Sequence, residues 1–138
     1  QLQPLEHIGI FSEDLPETVS PLPAVDDEDA SLHDRARAVL HVNCSSCHQP
    51  GGTGGSEMDL RFSTPLADMG ACSIEPDAGD LGVYGATLLS PGEPERSMIA
   101  IRMGRRGLGQ MPPLGTDQID EAGLSVVQDW IDSLESCP

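Results

Sequence analysis

The chain has 138 residues, with 23 Asp and Glu against 7 basic side chains, all of them arginine, for a formal net charge of −16. A field of that sign excludes nucleic acid and an anionic membrane surface as electrostatic partners, and no run reaches the roughly 20 apolar residues of a membrane span. The length is that of one domain with a modest core. With one Trp, one Tyr and two Phe, that core is built from Ala, Leu, Val, Ile and Met or is completed by a bound apolar group.

Residues 1–30 read as an N-terminal arm or linker. Leu2, Leu5, Ile8 and Phe11 are three apart and outline a short amphipathic turn, which Gly9 weakens. Pro16, Pro21 and Pro23, followed by the acidic run Asp26-Asp27-Glu28-Asp29, predict an extended strap on the surface. The chain begins at Gln1, with neither Met nor a signal-peptide pattern, so it is expected to be processed or excised from a longer product.

The second segment, 31–138, is predicted to be all-α. Ser31 with Asp34 three residues on is an N-cap signature, and Leu32, Ala36, Val39 and Leu40 form the apolar stripe of a helix over about 32–43. That helix runs into Cys44-Ser45-Ser46-Cys47-His48 and then Pro50-Gly51-Gly52-Thr53-Gly54-Gly55, a flexible loop. Thr64-Pro65 predicts a short helix over 65–69. Ser90-Pro91-Gly92-Glu93-Pro94 opens a second proline-initiated helix that carries Met98 to Met103 and stops at Gly104. Gly107 to Leu114 is a loop whose end is stiffened by Pro112 and Pro113. The last helix, about 119–136, carries Ile119, Ala122, Val126, Val127, Trp130, Ile131 and Leu134 on one face and is the clearest amphipathic segment.

The chemistry is concentrated in Cys44, Cys47 and His48. Two thiols three apart at the end of a helical turn can each form a thioether to a vinyl group of one porphyrin, with the adjacent imidazole beneath the iron, which is the spacing of c-type haem attachment. A zinc site would want four paired N or S ligands, but Cys72 and Cys137 stand alone. A thioredoxin-like pair would sit beside a strand at a helix start, whereas this one follows a helical pattern. A phosphate-binding reading of the glycines lacks the following lysine and preceding strand. Backbone packed against a porphyrin edge is the better use of those glycines. Met111 is the candidate sixth ligand, 63 residues past the histidine (111 − 48). It alone among the methionines considered stands in a loop, with glycines before it and prolines after it, whereas Met58 lies ten residues past His48, Met69 follows a short helix, and Met98 and Met103 sit on a helical face.

Taken together, the helix ending in C-x-x-C-H, the Met-Pro loop and the C-terminal W-I-x-x-L helix resemble the class I cytochrome c fold over about 31–138. More narrowly, Arg35-Ala36-Arg37-Ala38, the run Asn43 to Gly52, Pro91 to Ser97 and Met111-Pro112-Pro113-Leu114 look like haem-c domains at the C-terminal ends of larger exported bacterial proteins, some of them attached to sugar-oxidising quinoprotein modules. The resemblance implies Cys44 and Cys47 as thioether donors, His48 as proximal ligand, Met111 as distal ligand, one haem c per chain, and first and last helices crossing near the haem edge. The acidic arm, the longer middle and the extra cysteines depart from minimal cytochromes.

The expected function is therefore electron transfer by one His/Met-ligated haem, without enzyme activity of its own, towards a redox partner protein or a fused redox domain. The negative field would speed docking to a basic partner and serves solubility equally well. Haem attachment of this kind in bacteria takes place outside the cytoplasmic membrane, so the location is periplasmic or extracellular, and Cys72 and Cys137, outside the haem motif, are expected to pair as a disulfide there. The competing reading is a haem enzyme or gas sensor with an open sixth position, for which His7, His33 or His41 would supply the distal polar group. Arg61, Arg102, Arg105 and Arg106 are candidates for haem propionates, or else neutralise neighbouring acids.

Overall fold

The computed structural model describes residues 2–15 and 20–138. It is helical, with α1 at Leu2–His7, α2 at Leu32–Cys44, α3 at Met98–Met103 and α4 at Glu121–Asp132, and 3₁₀ turns at Leu66–Asp68 and Pro94–Arg96. Among the described residues the β pairing amounts to two isolated bridges, Cys72 with Leu89 and Thr87 with Ser97.

α2 starts as its sequence dictates: the Ser31 hydroxyl accepts the Asp34 N–H at 3.0 Å and donates to the Asp34 carboxylate at 2.8 Å. Its inward face packs against α4. Ala36, Leu40, Val127, Trp130 and Ile131 are all at or below 1% exposure, and each of the larger ones contributes about 1.5–3 kcal/mol by leaving water. Gly123 permits the close approach, since a Cβ there would lie 3.2 Å from a Val39 methyl. At the outer edge of the pair the Trp130 indole N–H donates to His33 Nδ1 at 3.1 Å, which satisfies the polar atom of a buried indole. The hydrophobic stripe predicted for the last helix holds except at Ala122, which is exposed. The helix is also shorter than the stripe: Asp120 caps its start by accepting the Gly123 N–H, and the Ser133 hydroxyl turns back onto the Trp130 carbonyl just beyond its end.

Three further expectations change. The predicted helix over 65–69 is a single 3₁₀ turn without a side-chain cap. The proline-initiated helix is split in two at Ser97, whose buried hydroxyl donates towards the Ser90 and Glu93 carbonyls and accepts the Ser90 N–H. Those bonds, with Met98 N–H on the Thr87 carbonyl, hold Ser97 extended, so tertiary pairing overrides the local helical tendency. The expected N-terminal turn forms a helix at Leu2–His7, yet Ile8 and Ile10 lie on the surface and Leu5 is 37% exposed, so it contributes little to the core. Of the strap, Pro16 lies outside the described residues. Val25 packs on the core and its carbonyl accepts from Arg35 at 3.2 Å, which fastens the arm to the first turn of α2.

Arg37 is an inward-facing cation that the apolar stripe does not anticipate, at 2% exposure. Its guanidinium donates to the carbonyls of Arg61 and Thr64 at 2.6 and 2.7 Å and to the Met69 sulfur. Burial lowers its pKa, partly opposed by the charge of Asp59, and the group remains a cation. It pins the 61–69 segment to α2. Three residues beyond Met69, Cys72 is joined to Cys137, with Cα atoms 5.8 Å apart, tying the segment after α4 to the one that pairs with Leu89.

Candidate cofactor site

The last turn of α2 carries straight into the motif. The N–H groups of Cys47 and His48 both donate to the Cys44 carbonyl, at 3.1 and 2.9 Å, so the two thiols and the imidazole are set on one tight turn. The chain then loops back over itself: Gly54 N–H donates to the Cys47 carbonyl and Leu60 N–H to the His48 carbonyl, each at 2.9 Å. Gly54 is required there, because a Cβ would lie 2.5 Å from His48 Nδ1 and 2.9 Å from the Cys47 oxygen. A Cβ on Gly52 would likewise strike the Cys47 carbonyl. These two glycines therefore serve the packing of the motif turn itself, and Gly54 also lines the adjoining cavity.

The loop places Ser56 Oγ at 3.1 Å from His48 Nδ1. With one ring nitrogen engaged, Nε2 has no hydrogen-bond partner among the described residues, and His48 lines a cavity of about 310 Å³, within the range of roughly 300–1,000 Å³ for small-molecule and cofactor sites. Burial lowers the His48 pKa, which favours the neutral imidazole and leaves Nε2 with a lone pair open to the cavity. Cys44 is pushed up to about 11 by burial and by the neighbouring Cys47.

The structure brings all four residues singled out in the sequence into the lining of this one cavity: Cys44, Cys47 and His48 from the end of α2, and Met111 from the distal loop. The remaining wall is mainly apolar, with Leu60 and Leu88 beside three further methionines, Met58, Met98 and Met103. Met58 and Met98 are buried and Met103 packs on the core. Met111 is half-buried and stands apart from the core cluster. Met69 is fully buried elsewhere, beneath the Arg37 guanidinium. Exposed Thr53, Gly55, Pro113 and Leu114 also line the cavity, so one side of it opens to solvent.

Of the arginines, Arg102 lines the cavity. Arg61 is instead forked onto Asp59, with N–O distances of 2.6 and 2.9 Å, and Arg106 is turned to the carbonyls of Met103 and Gln118. None of His7, His33 and His41 belongs to the lining. His33 takes the indole N–H of Trp130, and His41 Nδ1 is 3.0 Å from Ser45 Oγ. Ser56 is a residue that sequence reasoning missed, and no spacing rule singles out a serine eight positions beyond a histidine. Arg102 was distinguishable from the other arginines only by its place in the fold.

The residues fit a covalently attached haem: two thiols and a neutral imidazole share one turn, and a thioether sulfur is carried to the same apolar, solvent-edged cavity from a distant loop. Comparisons with protein-family models, with curated proteins and with solved structures found no match.

Proposed function

We propose that the chain is a monohaem electron-transfer protein or domain of the cytochrome c type. Cys44 and Cys47 are the thioether donors, His48 the proximal ligand and Met111 the distal ligand, with α2 and α4 as the paired first and last helices of the fold. The observation that carries this reading is the convergence of Met111 with Cys44, Cys47 and His48 on one apolar cavity across 63 residues of sequence (111 − 48). A haem held there supplies a one-electron ferrous/ferric couple, and methionine ligation keeps its potential comparatively high.

The chain's own residues do the rest. Ser56 and the Leu60 N–H orient His48, in the manner of outer partners that fix a metal-bound imidazole. The apolar wall excludes water from most of the cavity, and its open side gives a partner a short path. The partner is a redox protein or fused redox domain, for which a basic surface suits a net charge of −16, and the location is periplasmic or extracellular. The open-site enzyme or sensor is disfavoured by a cavity that none of the candidate histidines lines.

Two measurements test the proposal. The iron porphyrin is expected to stay with the polypeptide through acid-acetone extraction, and its loss to the organic phase would falsify covalent attachment. Met111→Ala is expected to abolish the weak far-red sulfur-to-iron band of the ferric protein and to admit carbon monoxide when reduced, and Met103→Ala to change neither. The reverse pattern moves the distal ligand to α3.

A further inference from the structure

We infer that Arg102 is the positioning residue that holds Met111 over the cavity. The inference rests on the haem reading above and adds to it the device by which the distal loop keeps its ligand in place.

The distal loop is held internally by Gln110. Its side-chain oxygen accepts the Gly107 N–H at 2.6 Å, and its amide donates to the carbonyls of Pro112 and Thr116 at 3.1 and 3.2 Å. These bonds shape the loop and tie it to Thr116, whose hydroxyl accepts from Arg106 at 3.2 Å. Among the described residues, every hydrogen bond from residues 107–112 to a residue outside the loop, apart from that of Gln110 to Thr116, goes to Arg102. The Arg102 carbonyl accepts the Met111 N–H at 2.9 Å, and its Nη1 donates to the Gly109 carbonyl at 3.1 Å. Its Nη2 reaches across to the carbonyls of Ala78 and Gly79, each at 3.0 Å, and Ala78 itself lines the cavity. One guanidinium thus clasps the Met111 loop to a second segment of the cavity wall from the last turn of α3.

Close packing reinforces the clasp. Gly109 has φ +79°, and a Cβ there would lie 2.8 Å from a Leu81 methyl and 3.4 Å from Arg102 Nη1, so the loop passes hard against both. A planar fork bonding three carbonyls is a use that arginine meets and lysine does not, because the fork is fixed in geometry. The guanidinium also forms no ion pair with a carboxylate among the described residues. Its role therefore differs from that of Arg61 and Arg96, which do.

Imidazole added to the ferric protein tests the clasp, because it competes with Met111 for the sixth position and its apparent affinity scales with the fraction of time the loop is open. Losing even one charge-assisted bond weakens loop closure about tenfold, so Arg102→Gln is expected to bind imidazole at least about tenfold more tightly. Arg102→Lys should be intermediate and Met111→Ala the upper limit. The far-red band should fall in the same order while the haem remains covalently attached. Imidazole affinity and band unchanged in both arginine variants, with Met111→Ala showing the full effect, overturn the inference and leave the ligand assignment intact. A band that survives in Met111→Ala overturns the ligand assignment itself. Should Arg102→Gln fail to fold, Arg102→Lys decides: unchanged imidazole affinity there refutes the clasp.

Discussion

Opening the bond between Cys72 and Cys137 is the perturbation whose magnitude follows most directly from the structure. The two residues are 65 apart in sequence, and a loop of that size, closed in the unfolded chain, removes entropy worth about 4 kcal/mol at 25 °C. For 138 residues, an unfolding entropy of about 2.1 cal/mol/K per residue converts that loss into a fall in melting temperature of roughly 14 °C. The double variant Cys72→Ser/Cys137→Ser should show it by circular dichroism, and the wild type should show the same fall in dithiothreitol while the variant does not respond. The site should feel the loss, since the Cys72 segment pairs with Leu89, next to the cavity residue Leu88. The thiol count is equally direct: unfolded without reductant, the haem-loaded protein should expose no thiol, and two after reduction. Two titratable thiols before reduction, or a melting temperature indifferent to a reduction verified by alkylation, would refute the reasoning.

Gly54→Ala sets a methyl group against His48 Nδ1 and the Cys47 carbonyl, and overpacking of this kind costs about 1–3 kcal/mol. The yield of covalent haem should fall, and an unchanged yield with an unchanged far-red band would show that the loop has room. Arg37→Met keeps the volume but leaves the Arg61 and Thr64 carbonyls without their donor, for a loss of about 3 kcal/mol read from urea unfolding. Hydrogen bonds from Arg61, which outweigh the opposing effect of burial, hold the Asp59 carboxyl well below the usual carboxylate range. A depressed folded pKa means that its stabilisation is complete above the unfolded value of about 3.9 and is lost as the pH falls through the lower folded value. The acid limb of the stability curve should therefore be shallower in Asp59→Asn, and superimposable acid limbs would count against the ion pair.

Much of this protein is local in origin and so was legible in the order of its residues. Ser31 and Asp34 start a helix because a hydroxyl and an amide three positions apart meet wherever the chain turns helical. The stripe from Val126 to Ile131 faces the core because its spacing puts those residues on one side. The thiols and imidazole of Cys44, Cys47 and His48 share a turn because the helix that precedes them carries on into it at that spacing. Met111 could be singled out by its setting of glycines and prolines, but its place in the same cavity as His48 is a property of the packing.

The rest depends on partners distant in the chain, for which sequence carries no rule. Ser97 breaks a helix because its hydroxyl finds carbonyls at Ser90 and Glu93. Arg37 is buried within an apolar stripe because two loop carbonyls from 61 and 64 await it. Ser56 meets His48 only because Gly54 lets the loop fold back. Arg102 is one of 7 basic residues in the sequence and becomes a clasp only where α3, the 78–79 segment and the Met111 loop come together. Spacing along a chain determines which side chains share a turn or a face. Which carbonyls are left over, and which cation reaches them, is decided only when the segments close on one another.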